Sequence, residues 1–272
     1  MHFTKGFSMK QTFPKQIIAS IILALLFIGC SKAPITGRNQ LIMVSPQQEL
    51  ALGFESAKQV LESEKLSTDS QKNAQVKRIG ERIAKTTEAL HKVNYKWDFF
   101  VIDNDEEGNA FCLPGGKVFV YTGLFKYAAN DDELAAVMGH EIAHALARHG
   151  AERMSSGQLQ QMGGQVLGAV MQSRGQPVQT AAVMQAFGIG TQLGVMLPHS
   201  RTQEYEADHI GLILAAKSGY DPRSALSFWE KFGANGETPP EYLSTHPAPS
   251  NRIAEIKALL PTTIPMYEAS KR

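Results

Sequence analysis

The stretch GHEIAHALARHG, residues 139–150, decides how this chain is to be read. The apolar residues Leu134, Ala135, Val137, Met138, Ile142, Ala143, Ala145 and Leu146 run through it and its approach, a pattern that describes a buried helix. Asn130, followed three residues later by Glu133, predicts the start of that helix, and Gly150 predicts its end. Histidines and a glutamate inside such a helix need partners, because burying a polar group without one costs free energy. His140 and His144 are four residues apart, so both imidazoles leave one face about a turn apart, as two ligands of one ion require. With Glu141 beside them this is the H-E-x-x-H arrangement, in which two histidines hold zinc and the glutamate takes a proton from the attacking water. The competing reading, histidines on an exposed helix face, conflicts with the apolar neighbours.

A catalytic zinc keeps three protein ligands and one open position. The extended form of the motif would supply the third ligand from the same segment, but Ala147 and Gly150 stand where it needs Gly and His. The third ligand must come from elsewhere. Further on, SRTQEYEADHIG (residues 200–211) offers Glu204 and Asp208, again four apart on one helical face, with Ala207 and Gly211 allowing close approach. Glu204 fits the third ligand, and Asp208 can accept the ring N–H of a zinc histidine. Glu206 points away from that face and reads as solvated.

Around these helices the pattern is mainly helical. Ser45 and Pro46 predict a cap and first turn for a helix to about residue 64, and a second helix follows over about 71–91 with Val76, Ile79, Ile83 and Leu90 in a stripe. Residues 95–103 read as a strand, and FCLPGGKVFVYTG as two more folded about Pro114, Gly115 and Gly116. Helices around a small sheet make the chain α+β. With 272 residues, 43% hydrophobic, one substantial core is expected.

The N-terminus belongs to none of this. Lys5, Lys10 and Lys15 precede an apolar run over residues 17–28 that is too short to span a bilayer, followed at once by Gly29 and Cys30. A basic start, a short apolar stretch and a small residue before the cut describe a secretory signal, with Met9 as an alternative start. The segment LLFIGCSK resembles a bacterial lipobox, with Phe27 where Leu is usual, so residues 1–29 are expected as signal, Cys30 as the lipidated residue and residues 30–44 as a linker to a domain over 45–272. Ser31 after the cysteine points, by the same analogy, to the periplasmic face of the outer membrane. Several acyl chains would hold the chain to a bilayer stably. Without its first 29 residues the chain has 24 basic and 26 acidic residues, which gives no reason to expect nucleic acid as a partner. Acylation of Cys30 would leave Cys112 as the only thiol and exclude an internal disulfide.

HEIAH, SRTQEYEAD and then STHPAPSNRI (residues 244–253) together resemble the HtpX-type zinc metallopeptidases, relatives of the CAAX prenyl proteases, and especially their LoiP/BepA-like periplasmic lipoprotein branch. The resemblance covers essentially the whole chain after Cys30, including NAFCLPGG at 109–116. It implies a zincin-like domain with one zinc ion on His140, His144 and Glu204 and Glu141 as catalytic base. It also implies that Asn109 and His246 line the cleft, His246 helping to stabilise the oxyanion, and that Arg201 and Arg252 brace the site. His149, His199 and His209 match no ligand position and read as surface or packing residues.

The implied function is hydrolysis of unfolded or misassembled envelope proteins, with the edge around residues 109–113 holding an extended substrate by strand addition. The alternative is a zinc-stabilised capture module for outer-membrane proteins with little proteolysis. Retention of Glu141 favours chemistry, since a structural site closed by four ligands needs no base. Residues 155–199 carry few charges, but their glutamines interrupt the apolar runs too often for a spanning helix, so packed helices beside the cleft are expected. Cys112 beside the cleft reads as a buried, inert thiol.

Overall fold

In the computed structural model, residues 30–173, 197–234, 246 and 251–271 are described. The expected signal segment 1–29 and residues 174–196 of the expected cleft-side helices lie outside them, as does the side chain of His199.

The described residues open with a hairpin of β1 (Cys30–Lys32) and β2 (Asn39–Leu41), paired antiparallel. Residues 30–44, expected as a linker, are therefore structured. Helix α1 (Pro46–Ser63) starts as the sequence predicts, with Ser45 and Gln48 forming a reciprocal capping box. Helix α2 (Ser70–Leu90) buries Val76, Ile79 and Ile83 while Leu90 stays exposed.

Strands β3 (Asp98–Ile102), β4 (Ala110–Leu113) and β5 (Lys117–Tyr121) form one mixed sheet in the order β3-β5-β4. β3 runs parallel to β5 and β4 antiparallel to it, so β4 lies at an edge. The turn from β4 to β5 puts Gly115 and Gly116 at φ 89° and 87°, where L side chains are disfavoured. A Cβ on Gly116 would also come within 2.8 Å of the Trp97 ring.

A 3₁₀ turn (Thr122–Lys126) leads to α3 (Asp131–Leu146), in which every residue from Val137 to Leu146 is buried. The Asn130 side chain accepts the Glu133 N–H, as expected of the cap; Glu133 returns its bond to Ala129 N–H rather than to Asn130. Helix α4 (His149–Ser173) follows, then α5 (Leu197–Lys217), α6 (Ser224–Ala234) and α7 (Arg252–Ser270). The core joins Ile79 and Ile83 of α2, Val118 and Val120 of β5, Met138 and Ile142 of α3, and Ile210 and Leu214 of α5. The α+β, mainly helical class read from sequence holds.

One boundary differs. α3 ends at Leu146, not Gly150, because Arg148 takes a left-handed φ of 56° and turns the chain into α4. Its guanidinium holds the bend by donating to Glu49 Oε2 at 2.6 Å and to the Val44 carbonyl at 3.0 Å.

Candidate active site

Two glycines let the site assemble. A Cβ on Gly139 would lie 2.9 Å from Gly211 O, and one on Gly211 would lie 2.8 Å from His140 N. Helices α3 and α5 thus touch backbone to backbone, as Gly211 suggested, and that contact sets the histidines of one against the carboxylates of the other.

His140 Nε2 and His144 Nε2 stand 3.1 Å apart, each 3.3 Å from a different oxygen of Glu204. One potential ligand atom from each of His140, His144, Glu204 and His246 lies within 4.8 Å of the others, and all four residues are buried. Two neutral imidazoles facing each other with their lone pairs repel unless a cation or proton sits between them. Glu204 Oε1 makes no aligned hydrogen bond among the described residues, which leaves it as an acceptor aimed into the same space. Imidazole and carboxylate donors of this kind fit a zinc-type ion.

His246, expected to line the cleft and help stabilise the oxyanion, brings Nδ1 to 3.2 Å from Glu204 Oε2 and so stands in the same cluster. Its Nε2 lies 3.4 Å from Glu141 Oε1. Burial pushes the Glu141 carboxyl above its usual range, partly offset by the nearby imidazoles of His246 and His140. Burial would do the same to Glu204, but the imidazoles gathered around it favour its ionised form and hold it well below that range.

His140 Nδ1 lies 2.9 Å from Asp208 Oδ1. With Asp208 accepting from Nδ1–H, Nε2 keeps its lone pair for an ion. Arg252 fixes Asp208 in turn through two donors, Nε to Oδ2 at 2.6 Å and Nη2 to Oδ1 at 2.7 Å. The guanidinium lies 3.8 Å from the centre of the Trp229 ring, and both it and Asp208 are buried. Asp208 therefore stays ionised despite its burial, Arg252 being the main cause.

The remaining expected residues are Asn109, Arg201 and Cys112. Asn109 is buried at the entry to β4, where its Oδ1 accepts the Ala110 N–H at 2.8 Å and its carbonyl accepts the Tyr121 N–H at 3.0 Å. Those bonds order the edge strand. Arg201 is exposed on α5, outside the buried cluster around Glu204 and Arg252. Cys112 sits in β4, and burial, with the Glu141 charge adding, pushes its thiol well above the ordinary range, so it stays protonated.

Two residues that the sequence did not assign to the site stand behind His144. His149, taken as a surface or packing residue, is fully buried, with Nδ1 2.8 Å from His144 Nδ1. Glu206, taken as solvated, is 5% exposed and lies 3.0 Å from His149 Nε2. In an unbroken helix, residues five apart point about 140° from each other. The bend at Arg148 is what turns His149 back toward His144, and nothing in the motif announces that bend.

Fold and site together define a metallopeptidase: a buried helix carries H-E-x-x-H, and a second helix brings a glutamate to the same point. The chain belongs to peptidase family M48, whose model matches residues 70–260. It is 33% identical to the mitochondrial metalloendopeptidase OMA1 of Saccharomyces cerevisiae over 91% of this chain and 76% of that protein. It is also 31% identical to the beta-barrel assembly-enhancing protease of Escherichia coli over 89% of this chain, and 40% identical to the Arabidopsis thaliana OMA1 over 60% of it. The chain spans 52% of the E. coli protein and 31% of the Arabidopsis one. These relatives include both mitochondrial and bacterial proteins, so family membership is broader than the periplasmic lipoprotein branch that the motifs suggested.

Proposed function

We propose that this chain is a zinc-dependent endopeptidase of the bacterial envelope, lipid-anchored through Cys30 on the periplasmic face of the outer membrane, which cleaves unfolded or misassembled envelope proteins. The observation that carries the reading is the convergence of His140, His144 and Glu204 on one point with Glu141 beside it. Zinc held by those three residues would polarise the scissile carbonyl and lower the pKa of water at the site. Glu141, its proton affinity raised by burial, accepts the proton from the attacking water and returns it to the leaving amine. Asp208 and Arg252 keep His140 in the ligating tautomer.

β4 packs against α3 at the sheet edge, which suits an extended segment added as a further strand. That geometry favours unfolded polypeptides, and cleavage of a tightly folded domain as readily as its denatured form would argue against it. Anchoring rests on the lipobox-like LLFIGCSK, and the likeness to the E. coli beta-barrel assembly-enhancing protease supports the envelope as the compartment. Among the described residues no helix is long and apolar enough to cross a membrane.

The cluster also favours a second reading. His246 offers a fourth donor, and an ion closed by four ligands is structural, as in a capture module for outer-membrane proteins. One experiment separates the two: hydrolysis of denatured casein by the detergent-purified chain, wild type against Glu141→Gln, with zinc content measured in both. Cleavage by wild type, and none by a variant that retains zinc, supports the peptidase. Zinc in both without cleavage by either supports the capture module.

A further inference from the structure

The two histidines of the motif are oriented from different sides. Asp208 and Arg252 account for His140, but nothing in the family motif accounts for His144. In the structure the ring nitrogen of His144 that faces away from the cluster meets His149, and behind His149 a charged network leads to the N-terminal hairpin.

The hydrogen-bond directions follow from one end. Glu206 is held by Arg38, whose Nε donates to Oε2 at 2.7 Å, and by the Thr36 hydroxyl. An ionised carboxylate only accepts, so His149 must donate through Nε2–H, 3.0 Å away. A neutral imidazole that donates at Nε2 keeps a lone pair at Nδ1. His144 must then donate from Nδ1–H across 2.8 Å, which leaves its Nε2 lone pair aimed at Glu204 and His140. Each link fixes the tautomer of the next.

The far end is built firmly. Arg38 also forks onto Glu152, Nη1 to Oε1 at 2.8 Å and Nη2 to Oε2 at 2.7 Å. Glu152, 1% exposed, takes further bonds from Gln40 at 3.2 Å and Gln203 at 2.8 Å. Among the described residues, two that are not glycine adopt left-handed φ: Ile35 at 66° in the turn that presents Thr36 and Arg38, and Arg148 at 56° in the bend that presents His149. Such strain persists only where the surroundings over-determine it.

We propose that Arg38, Glu206 and His149 form a positioning relay that sets the tautomer and orientation of the metal ligand His144, so that metal affinity depends on the hairpin immediately after Cys30. The relay rests on the reading of His140, His144 and Glu204 as metal ligands. His149 and Glu206 are positioning residues and do not bind the ion themselves.

The test is the zinc dissociation constant of the detergent-purified full chain, measured by competition with a chromogenic chelator, beside the melting temperature of the metal-free protein. His149→Phe and Glu206→Gln are each expected to weaken zinc about 10–100-fold, the range for losing a partner of a metal-bound histidine. The double variant should lose no more than His149→Phe alone, because removing one link already disconnects the other. A staple that merely holds the hairpin would lower the melting temperature and leave the zinc constant alone. If His149→Phe does not fold, Arg38→Gln at the partly exposed end carries the test. Zinc constants within about threefold of wild type in folded variants, or losses that add in the double variant, overturn the relay. A wild-type chain that takes up no zinc overturns the metal-site reading and the relay with it.

Discussion

Replacing Gly211 by Ala tests the helix crossing on which the site depends. The added Cβ would stand 2.8 Å from His140 N and 2.9 Å from the Gly139 carbonyl carbon and His140 Cα, where ordinary contact begins at 3.4 Å. All three are backbone atoms and cannot rotate away, so α5 must retreat from α3 by about 0.6 Å, the shortfall between those distances. Overpacking of this kind costs about 1–3 kcal/mol. The gain in helix propensity from Gly to Ala offsets about 1 kcal/mol of that. A net loss of about 0–2 kcal/mol lowers the melting temperature by up to roughly 8 °C in a domain of this size. The same retreat separates His140 from Glu204 and Asp208. A misplacement of about 1 Å costs on the order of 100-fold in rate, so a loss of at least about 10-fold in kcat/KM is expected. Gly157→Ala is the matched control, since a Cβ there meets nothing within 4 Å. It should melt at or above the wild-type temperature. Thermal unfolding and casein hydrolysis of the two variants side by side decide the matter: a Gly211→Ala protein as stable and as active as Gly157→Ala would refute the close-crossing argument.

Other consequences can be measured separately. Arg252→Met strands the buried Asp208 carboxylate, so a loss of about 3–5 kcal/mol in urea unfolding is expected, together with weaker zinc binding. Asn130→Ala removes the α3 cap and should cost about 1 kcal/mol with little change in activity per folded molecule. Cys112→Ala should leave activity unchanged with or without reductant, because burial keeps that thiol protonated. Asp131 is held below the usual aspartate range by its hydrogen bond from Arg78, so its stabilisation is complete above the unfolded value, near 3.8, and is lost as pH falls through the lower folded value. Asp131→Asn should accordingly flatten the acid limb of the stability–pH curve, and an unchanged limb would count against that ion pair.

What the sequence by itself determined is what periodicity and spacing encode. The spacing of four in His140 and His144, and again in Glu204 and Asp208, places each pair on one face of its helix whatever surrounds it. Apolar neighbours announced that α3 is buried, and Pro114, Gly115 and Gly116 announced the turn of the sheet edge. The tertiary structure alone decided which residues stand behind the ligands. Glu206 looked solvated because it leaves α5 away from the face of Glu204 and Asp208, but the hairpin and α4 meet it there and supply Arg38 and His149. His149 looked unrelated to His144 because a straight helix would point it elsewhere, and only the left-handed turn at Arg148 brings the rings together. Nor could spacing reveal that His246, 42 residues beyond Glu204, would come to the same point. Local pattern sets which way a side chain leaves its own element, whereas the packing of separate elements sets what it meets there.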